Sequence, residues 1–311
     1  MEIPIKEIYN VSHWMPYHCW YHIPNNIPWH MWIPLYFYFT GLSAGTFIIS
    51  SLSTAFGMKK FKPLALPAAI LAVILLGVAP VCLFLDLESP FRFWHTMVPW
   101  YFNPTSPVSY GAWLMVIYPI VCLIYAFHLY KKGSEKKAKI LGTITICLAL
   151  ATHAYTGFVF ATIRARGLWN TALLPGYFIT SAILSGLALV ILLLLLWDKK
   201  REEKLCPELL PPLVKGVVVV ILVDLFWAFS WVAILLHGTT PAATSGLTLL
   251  YDPIWVIGEI LLGMILPLFL LIYHKTKNNP VWIGVSCVLI MGGVLLMRST
   301  LVFIGFHIPL D

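Results

Sequence analysis

The sequence is poor in charge. Only 11% of its 311 residues are Asp, Glu, Lys or Arg, against 60% hydrophobic ones, whereas a soluble domain carries about 25% charged and roughly half apolar residues. That balance excludes an ordinary water-soluble domain and reads as an integral membrane protein. Cysteine lacks pattern rather than number: the six cysteines form no Cys-x-x-Cys or other cluster spacing, which argues against a disulfide scaffold, a zinc site or an iron–sulfur cluster held by this chain. A signal peptide is not expected either. Residues 1–30 carry Glu2, Lys6 and Glu7 and then a mixed polar and aromatic stretch, without a continuous apolar core or a small-residue cleavage site.

What is present is a set of long apolar runs. Eight lie near 33–56, 64–87, 108–130, 138–163, 172–197, 211–236, 252–274 and 280–303, each close to the ~20 residues that cross a bilayer. The expected fold class is an all-α integral membrane protein with eight transmembrane helices. Internal Gly41, Gly45, Pro80, Pro119, Gly186 and Pro267 do not count against helix, because neighbouring helices re-satisfy freed backbone groups. Most of the 20 Lys and Arg fall in four alternate connections, 59–62, 131–139, 199–204 and 275–277. The positive-inside rule makes that side the cytoplasm and puts both termini and the connections 88–107, 164–171 and 237–251 outside, in the cytoplasmic membrane. The net charge of +7 is then topology, not a nucleic-acid patch.

Ionisable residues within the spans are the candidate functional groups, since a charge near the bilayer centre costs at least about 2.5–3.5 kcal/mol. Asp224 stands near mid-membrane. Glu259 and Arg298 each lie about 10 Å below the outer helix ends at ~1.5 Å per residue, a matched depth that predicts an ion pair. Asp252 precedes Glu259 by two α-helical turns on the same face, so Asp252, Glu259 and Asp224 descend from the outside toward the middle. Asp224, without an evident countercharge, is expected as a hydrogen-bonded carboxyl. Helix-to-helix glue is the alternative role for this set.

Histidine offers little for haem. Only His153 lies well inside a span; His128 and His274 sit at the basic ends and His30, His237 and His307 at the opposite ends, so a bis-histidine haem is not expected. His153 and Tyr155, with Thr152 and Thr156, mark the outer part of the fourth span. Before the first span, NNIPWHMWIPLYFYF places Asn26 and His30 four residues apart among Trp29, Trp32, Tyr36 and Tyr38. Hydrogen-bonding His, Asn and Tyr in an aromatic setting suit a lipophilic carbonyl ligand such as a quinone. An interfacial aromatic belt accounts for the same residues.

Six segments in order then resemble one family. YFYFTGLSAGTFIIS, LDLESPFRF, NPTSPVSYGAW, YTGFVF with LWNTALLPGYFITSAILSGLAL, GEILLGMILP and GGVLLMRSTLVFIG are similar, nearly end to end, to the NrfD-like family of polysulfide reductase membrane subunits, the PsrC type. Glu88 and Ser89 depart from the glycine and arginine common there, while Asp86, Pro90 and Arg92 are in place.

The resemblance implies two four-helix bundles, 33–166 and 167–311, after an outward segment 1–32. It implies an anchor for a four-cluster iron–sulfur subunit and a molybdopterin (Mo or W) catalytic subunit on the outer face, with a dimer of complexes open to it and no haem in this chain. It also implies electron exchange with menaquinol for reduction of polysulfide or a related sulfur compound. Carried over by position, Asn26, His30 and Tyr155 surround the quinone head group, and Asp86, Arg92, Asp252, Glu259 and Arg298 handle quinone binding or protons; His153, beside Tyr155 on the fourth span, and Asp224, near mid-membrane, are added to these two sets from their places in the spans. An ion or solute transporter, a passive anchor and a quinone-reducing subunit of a cytochrome-fed complex are the other classes left open.

Overall fold

The computed structural model describes residues 29–87, 90–164, 166–198, 205–273, 276–277 and 279–307. The described chain is all-α, and eight of its helical spans are long and apolar enough to cross a membrane. In chain order they are α1 (Trp32–Ser51), α2 (Lys62–Asp86), α3 (Pro107–Tyr130), α4 (Glu135–Ala161), α5 (Leu174–Asp198) and α6 (Cys206–Leu236). A short α7 (Thr240–Tyr251) then leads into a π-helix (Ile254–Ile265) continued by α8 (Leu266–Ile272), and α9 (Pro280–His307) closes the bundle.

The helices begin where the sequence provides starts. α3 and α9 open on proline, whose missing N–H is one that the first turn cannot use anyway. At α4 the Ser134 hydroxyl accepts from the Lys137 amide at 3.3 Å, with Glu135 in the first turn, satisfying one free N–H at the positive end of the helix dipole. Eight spans match the expected eight to within a few residues, with two differences. α1 stops at Ser51, short of the expected 56: the Ser51 and Thr54 hydroxyls donate to Ile48 O and Ser51 O, competing for the last carbonyls. Gly57 then turns the chain at φ +71°, a conformation open to glycine. The connection 237–251, expected as an outer loop, is largely the helix α7. The other long connection, 88–107, contains two 3₁₀ helices, Pro90–Met97 and Pro99–Tyr101.

Burial does not follow hydrophobicity. α1 is the least hydrophobic span yet 83% buried, α9 and α5 are 61% and 56% buried, and α3 only 22%. Lipid is as apolar as leucine, so no hydrophobic drive separates helix from lipid; small residues and hydroxyls that allow close packing and interhelical hydrogen bonds select the centre instead. α1 supplies them. Ser43 donates to Ala72 O of α2 at 2.9 Å and meets the Tyr118 hydroxyl of α3 at 3.3 Å. Ser50 donates to Ala65 O, and the Thr54 hydroxyl meets that of Tyr125 at 2.9 Å.

Toward the second half, α1 crosses α5 backbone to backbone. A Cβ on Gly45 would strike Ala182 O and stand 2.9 Å from Gly186 Cα. The same device brings the π-helix onto α9, where a Cβ on Gly263 would lie 2.6 Å from Gly293 Cα. Thus α1, α5 and α9 touch one another at the centre, α2, α3 and α4 flank α1, and α6, α8 and the π-helix lie on the side of α5 and α9. Large apolar side chains such as Ile74, Leu123, Phe226 and Phe269 face outward, where lipid rather than water receives them.

Candidate functional site

Two groups of polar residues stand out. The first lies at the ends of α1–α4 opposite the basic connections. Asp86, the last residue of α2, would meet the unfavourable negative end of its own helix dipole. It is placed instead at the start of α1, where Oδ1 accepts from the His30 amide at 3.2 Å and faces His30 Nδ1 at 3.2 Å. The Asp86 side chain is 11% exposed and that of His30 66%, so the acid positions a ring whose other edge is open to solvent.

Trp29 fixes this corner by stacking on Trp169 at 6.0 Å and meeting Phe160 edge-on at 5.9 Å. One turn into α1, the buried Tyr36 hydroxyl neighbours that of Tyr155 of α4 and interacts with it, and it makes no hydrogen bond of regular geometry among the described residues. Gly111 of α3 leaves the space that the Tyr155 ring occupies. Arg92 is exposed on the first 3₁₀ helix and forms no hydrogen bond or ion pair among the described residues. Asn26 lies outside the described residues, as do Glu88, Ser89 and His274.

The second group is buried between the halves and centres on α5. Arg298 of α9 is 1% exposed. Its Nη2, with two hydrogens, faces three acceptors, Ser181 Oγ at 2.7 Å, His153 Nε2 at 3.0 Å and Phe178 O at 3.2 Å, and the guanidinium lies 3.7 Å from the centre of the Phe178 ring. Arginine only donates, so a hydrogen bond here requires the His153 tautomer that carries its ring proton on Nδ1. Gly41 of α1 makes room for that ring: a Cβ there would lie 2.9 Å from His153 Cε1. On the other side of α5, the Tyr177 hydroxyl donates to Glu259 Oε1 at 2.6 Å, and Thr180 Oγ1 donates to Asp224 Oδ1 at 2.7 Å. Asp224, Glu259 and Arg298 are within electrostatic reach of one another.

Several polar atoms of this group have no hydrogen-bond partner among the described residues. They are His153 Nδ1, Asp224 Oδ2, Glu259 Oε2, and Nε and Nη1 of Arg298. A buried polar atom left unpaired costs about 1–3 kcal/mol, so this density of them marks a place where something other than packing sets the residues.

The sequence expectations fare unevenly against this geometry. Asp224 is hydrogen-bonded, as its lack of a countercharge predicts. The expected Glu259–Arg298 ion pair is not made: α9 turns Arg298 toward His153 and α5, and Glu259 takes the Tyr177 hydroxyl. Asp252 does not continue down one face to Glu259 by α-helical turns, because the segment from Ile254 is wound as a π-helix, with i→i+5 bonds. Asp252 caps its start, Oδ1 accepting from the Ile254 amide at 3.0 Å, while remaining within electrostatic reach of Glu259.

His153 gives Nε2 to Arg298 rather than presenting both nitrogens to a ligand. Thr152 and Thr156 are spent on their own helix, on Leu148 O and His153 O. Tyr177, Thr180 and Ser181 were not singled out from the sequence, although their i, i+3, i+4 spacing puts three hydroxyls on neighbouring positions of one helix.

Over 90–92% of its length the protein is similar to subunits of reductases and of a menaquinol oxidoreductase. It is 30% identical over 303 residues to the Hdr-like menaquinol oxidoreductase integral membrane subunit of Archaeoglobus fulgidus, covering 92% of this chain and 73% of that one. It is 26% identical to a subunit of the selenate reductase of Mesobacillus selenatarsenatis, over 90% of this chain and 74% of that one. With a chain of the polysulfide reductase of Wolinella succinogenes the identity is 25%, over 90% and 95% of the two sequences. The family model described as polysulphide reductase, NrfD, matches residues 21–309, and the chain, a multi-pass membrane protein, belongs to that family.

Proposed function

We propose that this chain is the quinone-handling membrane subunit of an oxidoreductase complex. It is oriented with its basic connections in the cytoplasm and both termini outside, and it holds an iron–sulfur subunit and a molybdopterin subunit on its outer face. It draws electrons from menaquinol and passes them to the iron–sulfur subunit for reduction of polysulfide or a related sulfur compound. Family membership, and the menaquinol oxidoreductase and polysulfide reductase names of its relatives, support this reading.

The observation that carries it is the buried Tyr36 hydroxyl facing Tyr155, without a well-formed hydrogen bond among the described residues, at the helix ends where His30 and Asp86 meet. A flat apolar ring with an oxygen at its edge fits that donor set. A quinol bound there supplies two electrons and two protons. Tyr36 and Tyr155 hold its oxygen, with Arg92 on the polar rim. His30, fixed at Nδ1 by Asp86, takes a proton at its open Nε2 and releases it outside. Deeper in the protein, His153 and Arg298 join this site to Glu259 and Asp224, which with Asp252 form a second proton route through the other half.

The test is mild-detergent purification of the complex, wild type and Tyr36→Phe, read by subunit mass, Mo, W and Fe content and quinone extraction. The wild type should retain the metals and a quinone; Tyr36→Phe should keep the metals and lose most of the quinone. A wild-type protein that purifies alone, free of metal and quinone, would overturn the reading, and full retention of quinone by Tyr36→Phe would remove Tyr36 from the site.

A further inference from the structure

A groove opens at the basic end of the bundle, between the first turns of α6, the end of α8 and the start of α9. Its volume is about 910 Å³, at the upper end of the roughly 300–1,000 Å³ common for small-molecule sites. The lining is apolar except for Lys215 and Lys277, both exposed, and no acidic residue takes part in it.

Its depth is informative. α6 has 31 residues, about 46 Å at ~1.5 Å each, against a hydrocarbon thickness of about 30 Å. Counting ~20 residues back from Leu236 reaches the neighbourhood of Lys215, where hydrocarbon gives way to head groups. Val218 and Val219 lie on the hydrocarbon side of that level. A lysine at this position keeps its stem in the apolar layer and its ammonium at the interface.

We propose that the groove binds one anionic phospholipid, its phosphate paired with Lys215 and Lys277 and an acyl tail lying along Val218, Val219, Ile272 and Ile283. The two cations have no ion-pair partner among the described residues. A zwitterionic lipid brings its own cation to the same place, so the site selects for net negative charge. This inference depends only on insertion in a membrane, not on the quinone reading.

The test uses the complex in nanodiscs of equal parts phosphatidylglycerol and phosphatidylcholine, with lipid retained after extraction counted by native mass spectrometry. Wild type should keep one phosphatidylglycerol per copy of this protein in clear preference to phosphatidylcholine. Lys215→Gln and Lys277→Gln should each lower that preference about fivefold. Val218→Trp, which fills the groove and leaves both lysines, should abolish retention of either lipid, with size-exclusion profile and helical content unchanged. Equal retention of the two lipids by the wild type, or the same preference in the double lysine variant, would overturn the proposal. So would displacement of the lipid by millimolar inorganic phosphate, which would make the site one for a free anion.

Discussion

Replacing Arg298 by lysine keeps a cation but removes the planar fork that ties α9 to both α4 and α5. In the structure one nitrogen faces His153, Ser181 and Phe178 O at 3.0, 2.7 and 3.2 Å, and the guanidinium plane rests on the Phe178 ring at 3.7 Å. A lysine ammonium is a compact point charge on a different stem. It can keep the contacts nearest the helix, but it gives up the stacking and the reach to His153.

Side-chain hydrogen bonds between membrane helices average about 0.6 kcal/mol and reach about 1.7, and a desolvated cation–π contact contributes about 2 kcal/mol. Arg298→Lys should therefore destabilise the protein by about 2–3 kcal/mol. Combined with His153→Leu in a double-mutant cycle, the pair should show a coupling of about 0.6–1.7 kcal/mol, a three- to eighteen-fold change in the unfolding equilibrium. Reversible unfolding in mixed micelles by dodecyl sulfate titration of the four proteins measures it. A coupling within about 0.3 kcal/mol of zero, the ordinary additivity of unconnected sites, would refute the idea that this contact joins the two halves.

Two further outcomes follow from the same geometry. Gly45→Ala should destabilise by about 1–3 kcal/mol, because its Cβ would meet the backbone of α5. Gly77→Ala, whose Cβ would meet nothing within 4 Å, should be neutral or stabilise by up to about 1 kcal/mol; thermal melts moving both variants in one direction would contradict the crossing. Asp224→Asn keeps an oxygen to accept from Thr180, so stability should stay within about 1 kcal/mol of wild type, while quinol oxidation in proteoliposomes slows and protons moved per electron fall. Unchanged rate and stoichiometry would take Asp224 out of the proton route.

The spans were legible because the bilayer sets their length, and hydropathy along one dimension is enough to read it. Burial was legible for these residues too: Arg298, Glu259 and Asp224 are all buried, as charged groups within a membrane span are expected to be. Direction around the helix axis was not. Charge matching at one depth chose Glu259 for Arg298, yet α5, which packs on α9, presents a backbone carbonyl and a serine hydroxyl to it, and α4 presents a histidine. Those partners carry no formal charge and leave no mark in a search for countercharges. The π-helical winding of Ile254–Ile265 was illegible too, since a segment apolar on nearly every side offers no periodicity from which its turn could be measured.

The preference for neutral partners has a physical cause that bears on the proposed proton route. Burying a full ion pair requires stripping water from two charges, and the attraction between them often fails to offset that loss. A hydroxyl costs far less to bury and still supplies the hydrogen bond, which is how Tyr177 serves Glu259 and Thr180 serves Asp224. It leaves each carboxyl with one free oxygen, whereas a bidentate arginine would occupy both. An acid clamped by a cation on both oxygens is fixed in charge and poor at exchanging a proton. An acid held by one hydroxyl keeps an oxygen open to a proton donor, so the absence of a direct Glu259–Arg298 pair favours a proton-handling role for these carboxyls over a purely structural one.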